Sequence, residues 1–175
     1  MRDNSDVYGV VTRVLHWGMA LALFWMFFTT TVRVVLGEGV LYDLVWPTHR
    51  EVGLVLCLLA LFRLFWAWAN RSERPAAVNV LAPWGHRLMY GLMVVVPLLA
   101  LLRQYGSGRA YEPFGIPLMS GFEGDSVEWM VAAGGLFHGF LGWTLAVLIV
   151  GHIALALHHQ FRAGPAVLAR MAGRR

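Results

Sequence analysis

Four apolar runs, each about as long as a helix that crosses a bilayer, constrain this chain more than any other feature. The first covers about residues 10–35, with its uncharged core between Arg13 and Arg33. The second covers 49–69 and is interrupted once, by Arg63; the third covers 84–102 and the fourth 131–161. About 20 apolar residues rising 1.5 Å each span the hydrocarbon. A crossing segment must satisfy its own backbone polar groups, which leaves helices or closed barrels. The alternation of barrel strands is absent here. The expected fold is all-α, an integral membrane four-helix bundle with residues 1–175 as a single domain. Pro97 falls inside the third run, where a membrane helix tolerates a kink. Asp3 and Asp6 precede the first run and no small-residue cleavage site follows it, so it reads as a retained helix and not a secretion signal.

Composition excludes several alternatives. Charged residues make up 14% of the chain, against about 25% in a soluble domain. Cys57 is the single cysteine, so an internal disulfide, a Cys-based zinc site, an iron–sulfur cluster and a CxxCH haem attachment are all ruled out. The net charge is +4 and every basic residue except histidine is arginine. In a membrane chain that charge reads as orientation, not nucleic-acid binding. Four spans place both termini on one side, with Arg2, Arg13, Arg71, Arg74, Arg87, Arg162, Arg170, Arg174 and Arg175. Arg33, Arg50, Arg103 and Arg109 lie on the other. Nine against four puts both termini in the cytoplasm. The loop "RQYGSGRAYEPFGIPLMSGFEGDSVEW" is then the main external feature, and its Gly, Pro and aromatic residues suggest an ordered cap.

The fourth run, "FHGFLGWTLAVLIVGHIALALHHQF", carries four histidines, and imidazoles in lipid are costly unless their nitrogens are satisfied. His138 and His152 are 14 residues apart, about 40° short of four full turns and roughly 21 Å apart along the axis. They share a face at two depths. His159 continues that stripe and His158 points elsewhere. His16 lies at the cytoplasmic end of the first run and His49 at the external end of the second. His16 can therefore pair with His152, and His49 with His138. Zinc would want four ligands, which these depths do not offer. A haem needs only two axial ligands and presents an apolar face suited to Leu, Phe and Trp. Gly53, Gly142 and Gly151 would let a porphyrin approach the backbone. Two b-type haems are expected, with those four histidines as axial ligands to the iron. Arg63 shares a face with His49 but lies at the cytoplasmic level, suited to a buried propionate. Arg50 is the external counterpart, and Arg13 a second cytoplasmic candidate. Any one histidine alone reads equally well as a helix–helix hydrogen bond or a proton relay, and Arg63 could snorkel instead. The four at matched depths are what favour haem.

The pieces "RVLHWGMAL", "HREVGLVLCLLALFRLFW", "GHRLMYGLMVVVPLLALL", the fourth run and "VLARM" occur in order along nearly the whole chain. With them the chain resembles the bacterial cytochrome b561 family, four-helix dihaem cytochromes of the inner membrane. The family's axial ligands fall on His16, His49, His138 and His152. The resemblance implies a quinone site at the cytoplasmic face on His86 and His159. It further implies that the chain oxidises superoxide outside and reduces ubiquinone inside. Relatives with that activity carry a lysine in the second connection, where this chain has Arg71 and Arg74. The alternative is a cytochrome b subunit passing electrons between quinone and a partner dehydrogenase, hydrogenase or cytochrome c. A third class, a haem-free helical adaptor or transporter, predicts a colourless protein.

Overall fold

A computed structural model describes residues 3–77, 80–163 and 167–173. The chain is all-helical, and four of its helical segments, Val10–Leu36, Val40–Ala69, Ala82–Gly106 and Glu128–Phe161, are long and apolar enough to cross a membrane. Helix α1 (Val10–Thr31) runs on into a π-helical turn, Val32–Leu36. At Gly37 the chain takes φ 70°, a value that favours glycine, and turns back. The short α2 (Val40–Val45) leads into α3 (Thr48–Ala69). Helix α4 (Ala82–Gly106) passes through Pro97 without a break. Helix α5 (Glu128–His158) continues as a π turn over His159–Ala163, and α6 (Val167–Ala172) ends the described chain.

The third run was expected to end at residue 102. The helix instead continues to Gly106, because Arg103 and Gln104 belong to the last turn of an already nucleated helix. The fourth begins three residues earlier than its apolar pattern, at Glu128, an acid placed favourably in the first turn.

The helices meet mainly as α4 on α5, α1 on α3 and α3 on α4. The α4–α5 approach depends on Gly134: a Cβ there would stand 2.6 Å from Leu99 O and 2.7 Å from Arg103 Cβ. The buried core is a thin layer of Met19, Leu23, Leu56, Ala60, Leu92, Met93 and Leu145. Leu145 sits midway between His138 and His152 on α5, so this layer divides the bundle into two halves. Outward-facing Leu21, Phe24, Phe140, Val147 and Val150 are exposed, as lipid contact requires.

The two ends of the bundle are built differently. At the terminal face, buried Asp3 accepts from Gly9 N–H (2.8 Å) and Thr12 Oγ1 (2.7 Å) and pairs with Arg74 Nε at 3.2 Å. Thr12 in turn accepts from Trp66 Nε1. Trp17 Nε1 donates to Met171 O, and Arg170 to Ala76 O. The N-terminal strap, the α3–α4 connection and α6 are thus tied together. At the loop face, residues 107–127 fold around an antiparallel bridge between Tyr111 and Met119, and Tyr111 Oη donates to Arg50 O at 3.1 Å. Burial pushes the Tyr111 phenol above its ordinary value of 10.0, opposed by Arg50. Of the arginines used to orient the chain, Arg2, Arg174 and Arg175 lie outside the described residues.

Candidate functional site

Fold and helical phase bring the four histidines into two pairs. At the loop-face level, the His49 and His138 ring centres are 6.3 Å apart with planes at 73°. At the terminal-face level, His16 and His152 are 6.4 Å apart at 66°. Two imidazole nitrogens each about 2 Å from a single metal put the ring centres roughly 6 Å apart. Both pairs therefore have the separation an axially ligated iron requires. His86 approaches His152 too, but at 5.3 Å, which leaves less room between the rings for an atom. Among the described residues no three His, Cys, Asp or Glu side chains converge on a point that would hold a bare metal ion. A group that brings its own equatorial nitrogens suits these pairs.

Hydrogen bonds set the tautomers of the loop-face pair. His138 Nδ1 lies 2.9 Å from Val96 O. A carbonyl only accepts, so Nδ1 carries the proton and Nε2 keeps its lone pair. His49 Nδ1 lies 2.9 Å from Thr29 Oγ1, whose own hydroxyl proton goes to Met26 O. Here too Nδ1 donates and Nε2 is the free base. This is the outer support that metal-binding histidines usually have. Trp46 stacks on His49 at 4.8 Å and 22°, with Arg33 4.3 Å above the Trp46 ring.

The loop-face pair opens into a cavity of about 610 Å³ lined by apolar residues from α1, α3, α4 and α5. Gly139 and Gly142 form part of its wall, and a Cβ on either would project into open space. Arg33, Arg50, Arg103 and Arg109 all border this cavity, and no Asp or Glu is among the described residues that line it. The four arginines expected to form an external cationic rim, Arg50 also as a propionate candidate, thus border one opening.

The terminal-face pair is supported otherwise. Arg63, 6% exposed, donates through Nε to Tyr90 Oη at 2.7 Å and places Nη2 3.4 Å from His16 Nδ1. Its Nη1 is buried without a hydrogen-bond partner. A buried guanidinium with a free donor edge calls for an anion, so a haem propionate fits this site. Arg13 lies against Gly173 near the C-terminal end, and its Nε is likewise buried without a partner. Arg50 is exposed at the rim of the loop-face cavity, 5.6 Å from the Tyr111 ring. His86 is exposed and packs on His152, not on His159. His159 Nδ1 bonds to Leu155 O at 2.7 Å, with His158 edge-on to its ring at 5.8 Å. The partners Thr29, Val96 and Tyr90 carry no sequence signal. One Thr, Val or Tyr in an apolar helix looks like any other until the rotation of its neighbour is known.

Comparison with known proteins points to one family along nearly the whole chain. The model of the prokaryotic cytochrome b561 family matches residues 7–174. One relative, cytochrome b561 homolog 2 of Escherichia coli (strain K12), is 25% identical over 182 residues, covering 98% of this chain and 94% of its own length.

Proposed function

The chain belongs to the prokaryotic cytochrome b561 family of haem b membrane electron-transfer proteins, and within it we propose that it oxidises superoxide at the loop face and reduces ubiquinone at the terminal face. On this reading both termini are cytoplasmic. His49 with His138, and His16 with His152, would hold two haem b groups, each of which would supply a one-electron couple. Each of two superoxide anions gives up one electron and leaves as dioxygen. One ubiquinone takes the two electrons and two protons.

The observation that carries this reading is the loop-face cavity. Arg33, Arg50, Arg103 and Arg109 surround its opening without an acidic residue among the described lining. Converging like charges in a cleft focus the field and speed the arrival of a small anion. Glu38, Asp43, Glu112, Glu123, Asp125 and Glu128 belong to the same end of the chain but not to that lining. At the other end, His86 is exposed beside His152 and can relay a proton to a quinone oxygen, taking one up as imidazolium and returning to neutral imidazole on donating it. His159 borders the same face.

Superoxide-driven reduction of added ubiquinone by the purified protein tests the reading. Turnover should fall steeply with added salt, since a Debye length shrinks from about 10 Å at 0.1 M to about 3 Å at 1 M. His86→Ala with His159→Ala should slow quinone reduction and keep the pigment. Absence of superoxide-driven turnover would remove the proposed donor. A second reading draws on exposed Phe114, Ile116 and Leu118 in the loop-face cap, which offer an apolar landing for a redox partner. Co-purification of a dehydrogenase, hydrogenase or cytochrome c through that cap would favour it.

A further inference from the structure

The two histidine pairs sit in unlike electrostatic surroundings. Both loop-face imidazoles donate from Nδ1 to neutral acceptors, Val96 O and Thr29 Oγ1. Such donation makes a ligand more basic and favours the oxidised metal. The terminal-face pair has Arg63 instead, with Nη2 3.4 Å from His16 Nδ1. A guanidinium is a permanent cation with donors only. When His16 ligates through Nε2, its own Nδ1 carries a proton, so Nη2 must turn to another acceptor. Nη1 already lacks one. Whether the guanidinium stays bare or takes an anionic arm, it adds positive potential that would otherwise be missing.

We propose, on the reading that two haems are bound, that Arg63 holds the His16–His152 haem at a higher reduction potential than the His49–His138 haem, and so gives electron flow its direction toward the terminal face. The four arginines at the loop-face cavity do not cancel this. All four are exposed, whereas Arg63 is buried in the bundle. A charge in surroundings of effective dielectric about 20 acts roughly fourfold more strongly than one facing bulk water. Arg63 is therefore a positioning charge for the redox couple, one helix away from the ligand it influences.

Redox titration of the purified haem-loaded protein, followed optically, tests the proposal on Arg63→Gln and Arg63→Lys. In R63Q one couple should fall by at least about 59 mV, a tenfold change for one electron, while the other stays in place. R63K should remain near the wild-type values. The couple that moves should be the one that His16→Ala abolishes. Two unmoved couples in R63Q, equal movement of both, or an R63K protein that shifts as far as R63Q would each overturn the proposal. If R63Q retains only one haem, R63K decides: two couples near the wild-type values support the role of charge. Loss of haem from R63K as well assigns Arg63 a role of shape alone and overturns it. A wild-type protein with one haem would sink the two-haem reading itself, a separate outcome visible before any titration.

Discussion

Thr29 is a small side chain with two duties: it gives its proton to Met26 O and takes one from His49 Nδ1. Thr29→Val keeps the volume and removes the acceptor, leaving a buried N–H unpaired at a cost of about 1–3 kcal/mol. Outer partners of metal-bound histidines typically matter by about 10–100-fold in affinity. T29V should therefore lose haem from the loop-face level faster in detergent, and Thr29→Ser should restore it; equal retention in all three proteins would show that the bond is dispensable. Tyr111 makes a comparable link for the loop-face cap. Its phenol is held above its ordinary value by burial, so the protonated donor is favoured in the folded state. The stability it contributes is present below the unfolded value near 10 and is lost as pH rises through the higher folded value. The cap should accordingly resist proteolysis up to about pH 10 and open above it, whereas Tyr111→Phe should be cleaved more readily already at neutral pH.

Helices α4 and α5 are pressed together at Gly134, and this contact sets where His138 stands relative to Val96. Gly134→Val puts new atoms onto the Leu99 carbonyl and the Arg103 stem. Overpacking of this kind costs about 1–3 kcal/mol, so the melting temperature in detergent should drop, and an unchanged one would contradict the close approach. Gly142→Leu tests another side of the same helix, about 80° round its axis from Gly134. It adds bulk toward the loop-face cavity, where a Cβ meets nothing within 4 Å, and should cut haem content while helicity by circular dichroism stays intact. The presence and order of these elements are legible in the apolar runs, since twenty-odd apolar residues admit few other structures. Their ends are less so, because a helix continues past charges such as Arg103 that close an apolar count. Six-residue α2 and α6 fall below the length at which periodicity speaks. Pairing of His16 with His152 and of His49 with His138 follows from depth and 100° steps alone. The contact of His86 with His152 does not, because the rotation of α4 about its axis is set by packing.

The molecule as a whole is two half-bundles joined by a thin apolar layer and closed at each end by polar ties. The terminal tie centres on Asp3, read in the sequence only as an acid unsuited to a secretion signal. In the fold it is buried and binds Gly9, Thr12 and Arg74 together. Asp3→Ala should release the strap and destabilise by about 1.5–3 kcal/mol, the range for hydrogen bonds to a charged group. The check is a lower melting temperature with faster cleavage of the N-terminal segment. Family membership establishes haem b and electron transfer; the number of haems decides whether both half-bundles serve that chemistry. Haem per polypeptide, measured on the purified protein as its pyridine complex beside His16→Ala and His49→Ala, decides it most directly. Two per chain, falling to one in either variant with the other level still bound, is the expected result. One per chain in the unaltered protein, or two retained in both variants, would contradict the assignment of a haem to each histidine pair.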